Sequence, residues 1–177
     1  MRKNRSGLGV STDLGRAYSN AERDMMNAFA CTRSDLIAIE SPKDTWAGAR
    51  APMDGMIMTC NRESMTTEVA YIYEAKCRNF DAATLFGKYG GRAILGSVKL
   101  GNAQRASILF GVPTLLFMRL LDETFFLVKQ ITNGDGSFTF RYNEKYMRVK
   151  RPCQSGYEWA WQTFVPMDDA ERSPLEK

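Results

Sequence analysis

Two apolar runs with acidic residues at their ends constrain this chain more than any other feature. The first run, DGMIMTC, begins at Asp54, and the second, EVAYIYEAKCR, covers Glu68–Arg78. The polar link NRESMTT separates them, which is typical of two antiparallel strands joined by a turn. Because side chains alternate along a strand, Glu74 and Lys76 share one face of the second strand. The pattern predicts two carboxylates and a lysine on neighbouring strands.

The composition narrows the chemistry that these residues can perform. The chain has 0 His, which excludes Ser-His and Cys-His nucleophile pairs and imidazole bases. Carboxylates, lysines and metal-bound water remain as catalytic groups. No C-x-x-C pair occurs among Cys31, Cys60, Cys77 and Cys153, so we expect no zinc site.

The sequence has no leader pattern and no apolar stretch of about 18 residues, so we expect no contact with a membrane. A cytoplasmic protein with reduced thiols is expected, in a bacterial, archaeal or phage-infected cell.

The charges are distributed unevenly. Lys and Arg total 24 against 20 Asp and Glu, a net charge of +4. The segment 76–105 contains Asp81 as its one acid beside six basic residues, and 141–151 contains Glu144 beside five. Acids collect near the C-terminus. A basic middle next to a carboxylate pair favours a polyanionic partner such as DNA.

The N-terminal third is expected to contain an arm, a helix and an irregular connection. Residues 1–17 have no hydrophobic period and are predicted to form a flexible basic arm. Ser19–Glu22 matches the S-x-x-E capping box, which predicts a helix over about 20–32 with Met25, Met26 and Phe29 on its apolar side. The stretch 39–53 contains Pro42, Gly48 and Pro52 and is predicted to be irregular.

Later elements follow from apolar runs and their flanking Gly and Pro residues. We predict a short helix over 81–88, a helix from about Ser97 to Gly111, strands over 113–121 and 124–131, a turn at 133–136, and one or two strands within 137–149.

The motif and the element order together resemble the PD-(D/E)xK nuclease superfamily. In that superfamily an Asp begins one strand and an (Asp/Glu)-x-Lys lies on the next, as Asp54 and Glu74-Ala75-Lys76 do here. The order matches its α-β-β-(β)-α-β core over about residues 19–131. One departure is Met53, which stands where the family has Pro, with Pro52 one position earlier.

The resemblance implies an α/β fold with a restriction-endonuclease-like core. A mixed β-sheet would be flanked by helices, with extra C-terminal strands. We expect a single domain over 18–177, in which 132–177 forms a C-terminal extension that matches nothing in the family pattern.

The resemblance also implies a metal site. Asp54, Glu74 and the backbone carbonyl of Ala75 would bind Mg²⁺, with Mn²⁺ able to substitute and Ca²⁺ able to bind without turnover. Lys76 would orient the attacking water and stabilise charge in the transition state. Glu22 matches the acid that many members carry on the first helix, but the capping box explains it equally well, so both roles stay open.

Each of these residues also has a structural alternative. Asp54 could be a turn acid, Glu74 could form an ion pair with Lys76, and Lys76 could extend along the strand edge to solvent. The resemblance also implies a polar or basic residue that faces the site from the helix after the motif, which would be Gln104, with Lys99 as the competing choice. Four further side chains are thus candidates for contact with nucleic acid, although exposure to solvent explains them as well: Arg78, Lys88, Lys99 and Gln104.

The function that these expectations favour is that of a Mg²⁺-dependent DNA endonuclease acting as a homodimer. A Holliday-junction or branched-DNA resolvase is the preferred subclass, because resolvases are often little larger than the core. A restriction or homing endonuclease of the same fold is an alternative. A non-catalytic nucleic-acid-binding protein with this fold is an alternative of another class.

Overall fold

The chain forms an α/β structure with one large mixed sheet and one small sheet. The computed structural model describes residues 13–31, 33, 35–41, 52–61, 63–121, 123–150 and 157–175, with the backbone alone at 13–19 and 150. The helices are α1 (Asp13–Cys31) and α2 (Ser97–Phe110). The strands are β1 (Leu36–Glu40), β2 (Gly55–Asn61), β3 (Thr66–Cys77), β4 (Arg92–Gly96), β5 (Thr114–Arg119), β6 (Phe125–Thr132), β7 (Glu144–Lys150), β8 (Tyr157–Pro166) and β9 (Glu171–Pro174).

The large sheet has six strands in the order β1-β2-β3-β5-β6-β9, and the small sheet has three in the order β4-β8-β7. Only β3 and β5 pair in parallel, and the other neighbours are antiparallel. The predicted α/β class with a mixed sheet and extra C-terminal strands is therefore confirmed. One of those extra strands, β9, extends the large sheet beside β6.

The β2–β3 hairpin is the predicted pair of antiparallel strands. Gly55 pairs with Tyr73 at its open end and Asn61 pairs with Thr66 at the turn. The prediction of an irregular connection from residue 39 was wrong at its beginning, because β1 runs to Glu40 and pairs with β2. Residues 42–51 of that connection lie outside the described residues.

The parallel pair of strands depends on α2. Parallel neighbours need a crossover connection, and α2 lies in the segment that links β3 to β5. The predicted helix from Ser97 is confirmed, and it ends at Gly111 in a left-handed conformation with φ 67°. The strands predicted over 113–121 and 124–131 are also confirmed. They are β5 and β6, which pair with each other.

The first helix begins earlier than predicted. α1 starts at Asp13, so Ser19 and Glu22 lie inside it and the predicted capping box at its start is wrong. Part of the predicted arm, residues 13–17, belongs to this helix, and residues 1–12 lie outside the described residues. The expected apolar side is confirmed, because Met25, Met26 and Phe29 are buried.

The predicted short helix over 81–88 is present, but most of it is a turn of π-helix at Thr84–Lys88. The Asp81 carboxylate accepts a hydrogen bond from the Thr84 amide at 2.8 Å and so caps this turn. The following strand, β4, was not predicted.

The large sheet packs on both faces. Ile72, Leu116 and Leu127 lie in a core cluster on the face that α2 covers, together with Leu100 of that helix. Tyr73, Phe117 and Phe126 lie on the other face, against the apolar side of α1. Alternation along β3 therefore directs Glu74 and Lys76 to the α2 face and Ala75 to the α1 face.

Strands β7 and β8 form a ribbon that joins the body through β4. The prediction of strands within 137–149 is only partly met, because Phe138 makes a single bridge to Thr132 and the continuous strand is β7. None of the helices among the described residues is long and apolar enough to cross a membrane.

Candidate active site

The structure brings Asp54, Glu74 and Lys76 together at the open end of the β2–β3 hairpin. Asp54 immediately precedes β2, and its Oδ2 accepts a hydrogen bond from the backbone amide of Ala75 at 2.9 Å. That bond connects Asp54, the first acid of the motif, to Ala75, the middle residue of Glu74-Ala75-Lys76. The backbone amide of Asp54 also donates to the Tyr73 carbonyl at 3.2 Å, which extends the strand pairing to this residue.

The ammonium group of Lys76 lies among oxygen atoms of three residues. Its Nζ is 2.5 Å from Glu74 Oε1, 3.6 Å from Asp54 Oδ2 and 2.9 Å from the Ala75 carbonyl oxygen. These are the two carboxylates and the carbonyl that the resemblance assigns to a metal ion. In this structure a monovalent cationic group contacts all three.

A second lysine reaches the same carboxylates from α2. Lys99 Nζ donates to Glu74 Oε2 at 2.9 Å and lies 3.7 Å from Asp54 Oδ1. It is also 3.4 Å from the Pro52 carbonyl, and Asn102 donates to the same carbonyl at 3.3 Å. The first turn of α2 is thereby held against the start of β2. Lys99, proposed above as a contact for nucleic acid, belongs to the carboxylate cluster.

Burial controls the ionisation of this cluster. The Glu74 side chain is only 1% exposed, and its burial raises the pKa of this carboxyl group although Lys76 and Lys99 act in the opposite direction. Burial also opposes ionisation of Asp54, but both lysines and the Ala75 amide outweigh it and lower the pKa of Asp54. Burial likewise opposes protonation of Lys76, but Glu74 and Asp54 outweigh it and raise the pKa of Lys76.

The donor atoms fit a hard divalent cation. All are oxygens, and Glu74 Oε1 is buried with no hydrogen-bond partner among the described residues besides the Lys76 ammonium, which lies 2.5 Å away. In the described part of the chain, no three Asp, Glu, Cys or His side chains converge as a metal-binding group. A cation here would have two carboxylates, one carbonyl and water, a set that suits Mg²⁺ because it keeps several waters when bound to proteins.

Glu22 lies beside the cluster on α1. It lines a cavity of about 10 Å³ together with Glu40, Asp54 and Tyr73, enough space for about one water molecule. The Tyr73 hydroxyl is buried without a hydrogen-bond partner, and burial, with the nearby carboxylates, raises the pKa of Tyr73. A metal role for Glu22 stays a prediction.

The other predicted contacts for nucleic acid lie elsewhere. The Gln104 side chain donates to the Gly136 carbonyl at 3.1 Å and so ties α2 to the turn before β7. Arg78 donates to the Ile94 carbonyl at 2.7 Å, and Lys88 is exposed, with its Nζ 5.8 Å from the Tyr89 ring centroid. The structure does not bring these three side chains into the carboxylate cluster.

Sequence reasoning left one part of this site open and missed another. The resemblance offered Gln104 or Lys99 as the side chain that faces the site from α2, and the structure brings Lys99 to the carboxylates and Gln104 to Gly136. The buried Tyr73 hydroxyl was missed, although Tyr73 lies between two strand positions that face the other way, which could have indicated it.

Comparisons with protein-family models, curated proteins and solved structures found no match for this chain. The chemistry of the site therefore has to be inferred from its own residues.

Proposed function

We propose that this chain is a metal-dependent DNA endonuclease with a restriction-endonuclease-like core. The element order supports the fold: α1, the antiparallel strands β1, β2 and β3, the crossover helix α2, and β5 parallel to β3. This order resembles the α-β-β-(β)-α-β pattern of the PD-(D/E)xK superfamily, with three strands of the large sheet before α2 and with β4 of the small sheet inserted directly ahead of that helix.

One observation supports the function best. Lys76 Nζ contacts oxygens of Asp54, Glu74 and Ala75 at 3.6, 2.5 and 2.9 Å. Oxygens from three residues that surround an ammonium group form a place that attracts cations. Asp54, Glu74 and the Ala75 carbonyl would hold Mg²⁺ or Mn²⁺ there, with the Lys76 ammonium displaced towards the substrate.

When bound, the metal ion would lower the pKa of a coordinated water and neutralise charge on the scissile phosphate. Lys76 would then donate a hydrogen bond to the attacking water and orient it. Lys99, on the other side of Glu74, would contact a non-bridging phosphate oxygen and stabilise the charge that develops there.

Water is the nucleophile that the surroundings favour. Cys77 follows the motif directly, but burial, with a contribution from Glu22, raises the pKa of its thiol to about 11. The thiol therefore stays protonated at neutral pH and is a poor nucleophile. The proposed reaction is therefore a direct displacement by water, without a covalent intermediate at Cys77.

The charge of the surface favours DNA as the substrate. Lys88, Arg92 and Arg105 lie in the basic middle segment and are exposed. Exposed cations attract a phosphate backbone. A homodimer that cuts both strands, with branched DNA as the preferred substrate and a specific duplex sequence as the alternative, completes the proposal.

A second candidate function is non-catalytic binding of nucleic acid. The observation that favours it is the pairing of two carboxylates with two ammonium groups, which balances the charge without a metal ion. Under this alternative the cluster only stabilises the fold, and the exposed basic residues bind DNA.

A cleavage panel separates the two candidates. The purified chain and Asp54→Asn would be incubated with supercoiled plasmid, linear duplex, single strand, flap and four-way junction, in Mg²⁺, Mn²⁺, Ca²⁺ or EDTA. The nuclease proposal expects cutting in Mg²⁺ and Mn²⁺ only, reduced by at least about 100-fold in the variant. Preference for the junction would support a resolvase, and cutting at fixed duplex sites would support a restriction-type enzyme.

Glu63→Ala, in the exposed turn between β2 and β3, is the control and should cut at the wild-type rate. Binding of DNA without any cutting would favour the second candidate. Cutting that survives in Asp54→Asn would point to a contaminating nuclease and contradict the assignment of the site.

A further inference from the structure

The β7–β8 ribbon exposes four large aromatic side chains on one face. The exposed fractions are 51% for Tyr146, 58% for Tyr157, 61% for Trp159 and 54% for Trp161. We name these four residues the aromatic face. Large exposed apolar patches are uncommon on proteins that act alone and mark places of interaction.

Strand register explains why the four rings lie together. Tyr146 pairs with Trp161, and Arg148 pairs with Trp159, so that alternate residues of both strands share one face. The Tyr146 ring lies 5.5 Å from Trp159 and 5.3 Å from Trp161, measured between centroids. The Arg148 guanidinium lies 4.1 Å from the centroid of Tyr157. The result is a continuous surface of rings and one guanidinium group.

The aromatic face lies beside the candidate active site. Gly96, the last residue of β4, pairs with Gln162, so the first half of β8 extends past the end of β4 where α2 begins. Further along the same face of β8, Thr163 and Val165 are buried against the body. The aromatic face is thus the exposed continuation of a surface that packs on the core.

Contacts at the start of α2 connect the ribbon to the carboxylate cluster. The Thr163 hydroxyl lies 3.2 Å from that of Ser97, and Lys99, two residues later, reaches Glu74 at 2.9 Å. Trp161 is two residues from Thr163 on β8, roughly 7 Å along the strand. A nucleic-acid strand whose phosphate lies at the cluster could therefore reach the aromatic face within a few nucleotides.

The chemistry of the aromatic face favours a nucleic-acid strand as its occupant. The stretch of sequence that contains β7 and β8 is basic, because residues 141–165 include Arg141, Lys145, Arg148, Lys150 and Arg151 against the acids Glu144 and Glu158. On the face itself, the Arg148 guanidinium lies 4.1 Å from the centroid of Tyr157. Aromatic rings beside cationic groups are what single-stranded nucleic acid binds, and a basic segment attracts a polyanion more than it attracts a copy of itself.

We propose that the aromatic face stacks on unpaired nucleobases of a DNA strand next to the scissile phosphate. Every base has a π face, so this contact would select unpaired structure and tolerate any sequence. The inference deepens the proposed function and, for the position of the cut, rests on it. The substrate class that follows is DNA in which unpaired nucleotides adjoin a duplex.

Binding of a fluorescein-labelled 20-mer of thymidylate in EDTA tests the aromatic face without cleavage. Fluorescence anisotropy gives the Kd, and quenching of tryptophan emission reports stacking. The double variant Trp159→Ala/Trp161→Ala should raise the Kd by at least about tenfold. Trp159→Phe/Trp161→Phe keeps a ring at both positions and should bind within about threefold of wild type.

Leu109→Ala is the matched control, because Leu109 is an apolar side chain on α2 that is 77% exposed and should not affect binding. Circular dichroism would verify folding. If the double alanine variant unfolds, Trp159→Ala alone should still weaken binding by about tenfold.

The outcomes for the aromatic face and for catalysis are separable. The 20-mer is bound in EDTA without cleavage, so binding that depends on the tryptophans in a wild-type chain that cuts no DNA would contradict only the proposed function. Unchanged affinity in the double alanine variant would overturn the inference. A wild-type dimer that dissociates in that variant while its affinity stays unchanged would make the face a protein interface and would also overturn it.

Discussion

At the scale of residues, two lysines from different elements hold one buried carboxylate. Lys76 comes from β3 and Lys99 from α2, and each contacts a different oxygen of Glu74. Because the Glu74 side chain is only 1% exposed, water cannot fully replace either lysine. The stability of the cluster therefore depends on both ammonium groups.

Replacing Lys99 by Ala should lower the free energy of unfolding by about 1 to 3 kcal/mol, because a buried carboxylate loses a charge-assisted hydrogen bond. The measurement is urea denaturation in EDTA. The same replacement in a Glu74→Gln background should cost clearly less, since no buried charge is left uncompensated. Equal losses in both backgrounds would mean that Lys99 stabilises the fold without acting on Glu74.

The stability that Asp54 contributes should depend on pH in the acidic range. Its folded pKa is lowered from 3.8, so as pH falls the unfolded chain takes up the proton first and the folded state loses stability. The advantage of wild type over Asp54→Asn should be constant above about pH 5 and shrink as the pH falls through and below about 4. Chemical denaturation of wild type and Asp54→Asn from pH 6 to 3 in EDTA measures this difference in stability. A constant difference down to pH 3 would contradict the ion-pair assignment.

At the scale of elements, β1, β2 and β3 approach one another closely at the start of β2. A Cβ atom at Gly55 would lie 2.2 Å from the Ile39 carbonyl oxygen and 2.5 Å from the Tyr73 hydroxyl. The nearest neighbour of the added Cβ atom is thus the backbone of β1 at Ile39. That backbone cannot move away without breaking the pairing of β1 with β2.

Gly55→Ala should therefore destabilise the chain by more than about 2 kcal/mol and displace Asp54, with loss of cleavage. Gly101→Ala is the matched comparison, because no atom lies within 4 Å of its added Cβ and Ala is the better helix former. That variant should be neutral or more stable by up to about 1 kcal/mol. Thermal unfolding of both variants measures this difference in stability. Equal stability of the two variants would contradict the close packing described around Gly55.

Elements with strong local signals could be predicted, and short ones could not. The β2–β3 hairpin has long alternating runs around a polar link, and α2 has Gly111 and Pro113 at its end. By contrast β1 and β4 have five residues each, and β4 pairs with β8, which lies far along the chain. In α1, the first turns have no hydrophobic period and Ser19–Glu22 matches a capping box, so the predicted start is later than the observed one at Asp13.

At the scale of the whole molecule, the C-terminal segment completes the large sheet. β9 pairs with β6, and just before it Asp169 forms an ion pair with Lys129 of β6, whose side chain is only 7% exposed. The hydrogen bond from Lys129 lowers the pKa of Asp169. The contact between the segment 132–177 and the sheet therefore includes one nearly buried ammonium group.

Removing the acid of this pair should be more harmful than removing the base. Asp169→Asn leaves the Lys129 ammonium group with reduced compensation and should cost about 1 to 3 kcal/mol. Lys129→Met replaces the buried charge by an apolar side chain of similar length and should cost less. Guanidinium denaturation of the two variants compares them, and a larger loss in Lys129→Met would contradict this account of the contact.

The candidate site could be predicted best where neighbouring strands encode it. Asp54, Glu74 and Lys76 are brought together by one hairpin, so their spacing in the sequence was enough. On the helix after the motif the sequence left Gln104 and Lys99 as alternatives, because the packing of the crossover helix decides which of them reaches the carboxylates, and Lys99 does. The aromatic face requires β7 to pair with β8 across residues 151–156, and that pairing follows from tertiary packing.

The most direct test of the proposed site is the single-turnover rate of Mg²⁺-dependent cleavage in Lys76→Ala. Wild type should cut the best substrate of the panel in Mg²⁺ and not in EDTA. Lys76→Ala should cut at least about 100-fold more slowly while binding DNA normally, because the ammonium group acts on the water and the transition state. The control Glu63→Ala should match wild type. A Lys76→Ala variant that cuts at the wild-type rate, or a wild type that cuts nothing, would contradict the assignment of Asp54, Glu74 and Lys76 as a nuclease site.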